Sequence, residues 1–326
     1  MEAWMVREER YEETMNQVVW PYLKEREREL TMKDPQGNAL HVCNYHADQP
    51  KEMVLISHGF TETAHKYGEV IYYFLMNGYE VYILEHCGHG RSYRLVEDPC
   101  LVHVDSYKRY IRDVLRVASA ARKEHPELSL TLYGHSMGGG IAAGAAGEQP
   151  ELFDRVILSS PMIRPLTGSI PWPLAKVIAA AACALGKEKD YVFGNGPYQG
   201  LEPFETSAST SRARFDYYQK YRFGEPLAQM SGPSYSWIRE AIRLNHELLT
   251  KTVKNLHMPL LLFQAESDQS VSNEEQDRFL RLIRKNGGTN ARKIKILGAK
   301  HEIFNAPDEV VERYWKHIFR DWNLDA

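Results

Sequence analysis

Short apolar runs recur along the chain from residue 40 onward and alternate with stretches of helical period. Met53–Ser57 predicts a strand that runs into His58-Gly59. Tyr67–Asn77 predicts a helix ended by Gly78, and Tyr79–Leu84 the next strand. A helix is expected over 104–124 and a strand over Leu128–Tyr133. Next come a helix rich in small residues over Met137–Gly147 and a strand over Arg155–Ser160 that stops at Pro161. Strands this continuously apolar, each followed by a helix, predict a mostly parallel sheet with helices on both faces.

From 162 to about 250 the rhythm gives way to Pro, Gly and aromatic residues with short helical pieces. It resumes with a strand at Leu260–Phe263, a helix at Glu274–Arg284, a strand at Lys293–Leu297 and a helix at Val310–Trp322. The simplest organisation is one α/β core made of residues 1–161 and 251–326, with an inserted, mainly helical cap at 162–250. The first thirty residues read as a helical extension carrying Trp4, Val18, Val19 and Trp20 and broken at Pro21. The charged run Lys24–Glu29 reads as a solvated helical face.

Composition narrows the function classes. At 326 residues the chain can bury a core without staples. Its net charge of −3 gives no basic excess for nucleic acid and none for steady attachment to anionic lipid. Cys43, Cys87, Cys100 and Cys183 form no CxxC pair, which predicts free thiols in a reducing compartment. The charged start MEAWMVREERYEETMNQ lacks the apolar region of a secretory leader. The most apolar stretch, 174–185, is too short to span a bilayer. A cytoplasmic protein is expected, with peripheral contact at the inner membrane surface as the second option.

The chemistry starts at Gly134-His135-Ser136-Met137-Gly138, a Gly-x-Ser-x-Gly pattern. Alone it is weak, arising by chance in about one chain in ten of this length. Here it joins a predicted strand to a predicted helix, where a sharp turn presents the serine as a nucleophile and its neighbours must lack Cβ. A serine hydroxyl needs a base, and the base an orienting carboxylate. His301, one of thirteen histidines, follows the last predicted strand in Gly298-Ala299-Lys300-His301-Glu302. The acid should follow Leu260–Phe263. Asp268 is the first choice on spacing, with Glu266 second. A developing oxyanion needs N–H donors. Met137 is expected to supply one, and Phe60 the other, in the loop Ser57-His58-Gly59-Phe60. Gly59 allows close approach, and His58 is expected to support the loop by hydrogen bonding. No metal or cofactor is called for. His86, Cys87 and His89 lack a fourth ligand at matching spacing, so a structural zinc site is not expected.

These segments together resemble the monoacylglycerol lipase and bacterial lysophospholipase branch of the α/β hydrolases. The resemblance rests on His58-Gly59-Phe60, on Glu85-His86-Cys87-Gly88-His89-Gly90-Arg91-Ser92, and on His103-Val104 with Tyr107 and Asp113. It also rests on Gly134 to Gly139, Ser160-Pro161-Met162, Gly232 to Glu240 and Gly298 to His301. It implies the α/β-hydrolase fold, hydrolysis of the ester bonds of monoacyl lipids, triad roles for Ser136, Asp268 and His301, and oxyanion roles for Phe60 and Met137. Two positions depart from the family: Glu85 stands where Asp is usual, and Phe60 where a small residue is usual. A bulky Phe60 is expected to narrow an acyl channel.

The implied partner is a small lipid or ester substrate. The stretch from Pro171 to Leu185 has two readings, core packing first and transient dipping into a membrane surface second. A peptidase of the proline-iminopeptidase type shares scaffold and triad, and would need a carboxylate such as Glu202, Glu205 or Glu240 for a free amino terminus. Another carboxylesterase or thioesterase and, more remotely, a non-catalytic binding protein complete the alternatives. The sequence does not set the oligomeric state.

Overall fold

The computed structural model describes residues 5–320; Trp4 and Trp322 lie outside the described residues. Eight strands form one sheet among them: β1 (Glu27–Lys33), β2 (Ala39–Tyr45), β3 (Glu52–Ser57), β4 (Tyr79–Leu84), β5 (Ser129–His135), β6 (Arg155–Ser159), β7 (Leu260–Ala265) and β8 (Ala291–Ile296). Their order across the sheet is β1-β2-β4-β3-β5-β6-β7-β8. The β1–β2 and β2–β4 pairs are antiparallel, and every other pair is parallel. This is the mostly parallel sheet expected from the alternation of apolar and helical runs, in the α/β-hydrolase arrangement that the resemblance implied.

Alternating side chains of the central strands feed two cores. Leu55, Leu132, Leu158 and Leu262 face one, and Ile56, Tyr133, Ile157 and Phe263 face the other. On the first side pack α2 (Tyr107–Glu124) and α3 (Met137–Glu148), with α7 (Asn273–Lys285) further along. On the second lie α1 (Gly68–Met76) and α8 (Asp308–Arg320). Burial on both faces is why these strands read as unbroken apolar runs.

The N-terminal expectation needs correction. Residues 8–24 are helical, in short 3-10, α and π turns, and Pro21 sits inside the last of them instead of breaking the run. The π turn Met15–Val19 lies just before it, and Pro21 falls within the first turn of Trp20–Lys24, where its missing N–H costs little. The run Lys24–Glu29 is not a helical face. Glu27 opens β1, an edge strand whose side chains alternate between exposed and half-buried. Charges on an edge strand keep it from pairing with another chain.

The segment 162–250 is also more regular than its composition predicts. It holds α4 (Trp172–Ala184), α5 (Arg212–Gly224) and α6 (Tyr235–Thr250). Trp237, Leu244 and Leu248 of α6 belong to the first core. The reading of 171–185 as core packing is corrected. Within α4 only Ala175 and Ala179 are buried, while Leu174 is 51% and Val177 63% exposed, and Leu185 just beyond is 76% exposed. The helix lays its small alanine face inward and its large side chains outward. Among the described residues no helix is long and apolar enough to cross a membrane.

Candidate active site

The parallel strands place their C-terminal ends on one edge, and three of the loops that leave it carry the expected groups. Ser136 lies between β5 and α3, with φ 53° and ψ −121°, a left-handed conformation that costs about 1–3 kcal/mol outside glycine. The turn is pinned from several sides. Ser136 N–H donates to the Ser159 carbonyl at 3.0 Å, and the Ser136 carbonyl accepts from Met162 N–H at 2.7 Å and Gly139 N–H at 3.0 Å. The flanking glycines are sterically required. A Cβ on Gly134 would lie 2.6 Å from the Gly138 carbonyl oxygen, and one on Gly138 would lie 2.1 Å from that of Ser57.

His301 follows β8, and its Nε2 lies 2.7 Å from Ser136 Oγ. Its Nδ1 lies 2.8 Å from Asp268 Oδ2. An ionised carboxylate only accepts, so Nδ1–H donates to Asp268 and Nε2 is left to accept the serine proton. The other oxygen, Oδ1 of Asp268, accepts from the N–H groups of Ser270 and Val271 at 2.9 and 3.0 Å. Burial pushes the Asp268 carboxyl up, but the His301 hydrogen bond and charge and the two amides outweigh it and hold the carboxyl below its usual range. The side chain of Asp268 is fully covered, and Ser136 and His301 are buried. Glu266, the second candidate, instead accepts from Gly298 N–H at 3.0 Å and faces Lys295. It braces the loop that leads to His301.

The loop after β3 sits beside the serine. Phe60 lines the same cavity as Ser136. Met137 is the first residue of α3, so its N–H has no acceptor within the helix, and the positive end of the helix dipole points at Ser136. Gly59 N–H donates to Glu62 Oε2 at 2.6 Å. His58 is fully buried, donates from Nδ1 to the Gly59 carbonyl at 2.8 Å and accepts at Nε2 from His86 N–H at 3.0 Å. His135 donates to the Ser159 carbonyl at 3.1 Å, and burial pushes it down to about 4, so its ring is neutral beside His301. Glu85 accepts from the N–H groups of Arg91 and Ala64 at 2.6 and 3.1 Å, tying its own loop to the one after β3.

Pattern reading missed a charged cluster beside the three groups. Lys66 Nζ bridges Glu62 at 2.8 Å and Glu302 at 2.5 Å. It joins the loop after β3 to the residue after His301. The i,i+4 spacing of Glu62 and Lys66 is visible in the sequence, but Glu302, 236 positions later, is not. The cavity over Ser136 has a volume of about 410 Å³ and draws its far wall from α5 and α6. Phe60 stands in it with its ring 4.5 Å from that of Trp237.

A family model described as serine aminopeptidase, S33, matches residues 48–308. The chain belongs to that family. It is a hydrolase of the α/β class. Lysophospholipase L2 of Escherichia coli strain K12 is 31% identical over 268 residues, covering 81% of this chain and 78% of that protein. Human monoglyceride lipase is 27% identical over 273 residues, covering 82% and 81%. A soluble variant of monoglyceride lipase from Saccharomyces cerevisiae, solved with a substrate analogue, superposes with a TM-score of 0.70 at 18% identity, covering 91% of this chain and 94% of that one. This S33 hydrolase thus sits on the lysophospholipase and monoglyceride lipase branch that its loops resemble.

Proposed function

We propose that this S33 hydrolase cleaves the carboxylic ester of monoacyl lipids through an acyl-enzyme on Ser136. The observation that carries the reading is the continuous hydrogen-bonded chain Ser136–His301–Asp268 at the floor of a half-apolar cavity. His301 takes the Ser136 proton as Oγ attacks the ester carbonyl. The Met137 and Phe60 amides receive the oxyanion, and His301 returns the proton to the departing alcohol. Water repeats the sequence to release the fatty acid. Asp268 keeps the imidazole oriented and offsets its charge while it is protonated.

Residues 162–250 act as a cap whose inner face holds the acyl chain. The exposed Leu174, Val177 and Leu185 support contact of α4 with the lipid surface where such substrates reside. Co-sedimentation with liposomes, lost on Leu174→Asp with Val177→Asp, is the expected result. The names of the relatives favour esters, whereas the family description names a peptidase. The three carboxylates weighed for a peptide amino terminus are each engaged or misplaced, which supports the ester reading. Glu202 lines the cavity but is paired with Arg222 at 2.5 Å. Glu240 is buried among Arg239, Arg243 and the Tyr107 amide, and Glu205 is exposed outside the cavity. A panel of p-nitrophenyl esters, monoacyl lipids and prolyl p-nitroanilides tests this. Turnover of the lipids is expected, and turnover of the anilides alone would overturn the reading.

A further inference from the structure

The loop that carries His301 leans on the cap. Its first part is held from the core, where Ser267 N–H donates to the Ala299 carbonyl at 3.1 Å. Its later part is held by residues 205–211, just ahead of α5. Glu302 N–H donates to the Ala208 carbonyl at 3.0 Å, and the Asn305 carbonyl accepts from Ser211 N–H at 3.0 Å and from Ser209 Oγ at 2.6 Å. Lys300 Nζ donates to the Ser207 carbonyl at 3.2 Å. Any displacement of the segment 205–211 therefore pulls on the backbone beside His301.

That segment is tied down from behind, by residues outside the cavity. Arg214, in the first turn of α5, has a fully covered side chain, and the five N–H groups of its guanidinium find five acceptors. Two are the oxygens of Glu69 in α1, at 3.0 and 2.9 Å. The others are the Val6 carbonyl at 3.1 Å, the Ala306 carbonyl at 3.2 Å and Asp308 Oδ1 at 3.1 Å. A buried ion pair adds little stability over apolar packing of the same volume, but it accepts a narrow range of geometry. Glu8 completes the tie. Its Oε1 accepts from Ser211 Oγ at 2.5 Å, its N–H donates to Asp308 Oδ1 at 3.1 Å, and its Oε2 accepts from Asp308 N–H at 3.3 Å. One carboxylate thus serves the N-terminal ends of both α5 and α8. Val6 and Glu8 lie ahead of residues 48–308, the span that the family model matches.

We infer that Arg214 and Glu8 are positioning residues for His301. The N-terminal extension and α1 clamp the start of α5, and the segment ahead of α5 holds the histidine loop where Nε2 meets Ser136 Oγ. The clamp touches neither the substrate nor the reacting atoms, so it acts on the geometry of proton transfer. A base displaced by about 1 Å costs on the order of 100-fold in rate, and the space that receives the substrate is unchanged. The inference rests on the Ser136–His301–Asp268 reading proposed above.

The test measures p-nitrophenyl ester turnover by the full chain and by Glu8→Ala, Glu8→Gln and Arg214→Lys. Active sites are counted by complete fluorophosphonate labelling of Ser136, which removes any unfolded fraction from the comparison. Glu8→Ala is expected to lower kcat by about tenfold with KM within about twofold of the parent value. Glu8→Gln keeps an oxygen for Ser211 Oγ and should recover most of the loss. Arg214→Lys keeps the charge but not the fork and should lose more; should it not fold, Glu8→Ala decides alone. Hydrogen exchange at residues 205–211 and 300–306 should quicken in Glu8→Ala while α3 keeps the parent's protection. Val117→Ala, a buried change in α2 on the opposite face of the sheet, is the control for lost stability and should leave kcat per labelled site unchanged. A Glu8→Ala chain with the parent's kcat would overturn the inference, as would an equal fall in Val117→Ala. A wild-type chain that cleaves the ester with Ser136 unlabelled would remove the triad reading itself, and the inference with it.

Discussion

Ser136 is held in a backbone conformation that it does not prefer, and the groups that hold it are backbone amides and carbonyls. Replacing Oγ should therefore leave the fold intact and remove turnover. Ser136→Ala is expected to lose on the order of 10⁶ in kcat. The two carboxylates after β7 separate cleanly at this scale. Asp268→Asn should lower kcat by about 10⁴ because a neutral amide can donate to Nδ1 and fix the wrong imidazole tautomer, and cannot offset the imidazolium charge. Glu266→Gln, which keeps an oxygen for the Gly298 amide, should lower it far less. Steady-state kinetics on both variants would show the ranking, and the reverse order would move the acid to Glu266. Ser136, His301 and Asp268, the groups proposed as nucleophile, base and acid, were legible because each follows a recognisable apolar strand on this scaffold. Lys66 was not. Its place comes from Glu302, a partner 236 positions away, and a lone charge in a short helical stretch reads as solvated surface.

The elements that place the site are β5 and α3, joined by the elbow. Close approach on several sides explains the glycines of α3, which would otherwise weaken a helix: Gly138 meets the end of β3, Gly139 and Gly140 the chain at Pro161 and Met162, Gly144 the Ile111 side chain of α2, and Gly147 Thr252. Gly138→Ala is expected to destabilise the protein by about 3 kcal/mol or more, because the added carbon meets the Ser57 carbonyl, a backbone group that cannot turn aside. Gly196→Ala, with nothing near the added carbon, should be neutral or slightly stabilising. Urea denaturation distinguishes the two, and an unaffected Gly138→Ala would contradict the packing described. The parallel part of the sheet was legible for the same physical reason that it is stable, burial of both faces. The β1–β2 hairpin was not, because Glu27, Arg28 and Glu29 sit on a half-exposed edge and carry no apolar run. The helices α4 to α6 were obscured by the Pro, Gly and aromatic residues that punctuate them.

At the scale of the whole molecule, stability is tied to pH through histidines folded in their neutral form. Burial lowers His58, His86 and His89, pushes His65 down to about 3 and His135 down to about 4. The unfolded chain binds protons at these rings below about pH 6.5 and the folded chain does not. Stability is therefore full above that value and is lost as pH falls toward the folded-state values, by on the order of 1 kcal/mol per histidine between pH 7.5 and 5.5. Urea midpoints at the two values should show a marked drop, and equal midpoints would mean that these rings are not held neutral.

The most direct measurement is a fluorophosphonate label followed by intact-mass and peptide mapping of the wild-type chain, Ser136→Ala and His301→Ala. One adduct on Ser136 is expected in the wild type, none in Ser136→Ala, and strongly slowed labelling in His301→Ala. A wild-type chain that hydrolyses monoacyl esters while Ser136 stays unlabelled would contradict the nucleophile, and with it the reaction built on it.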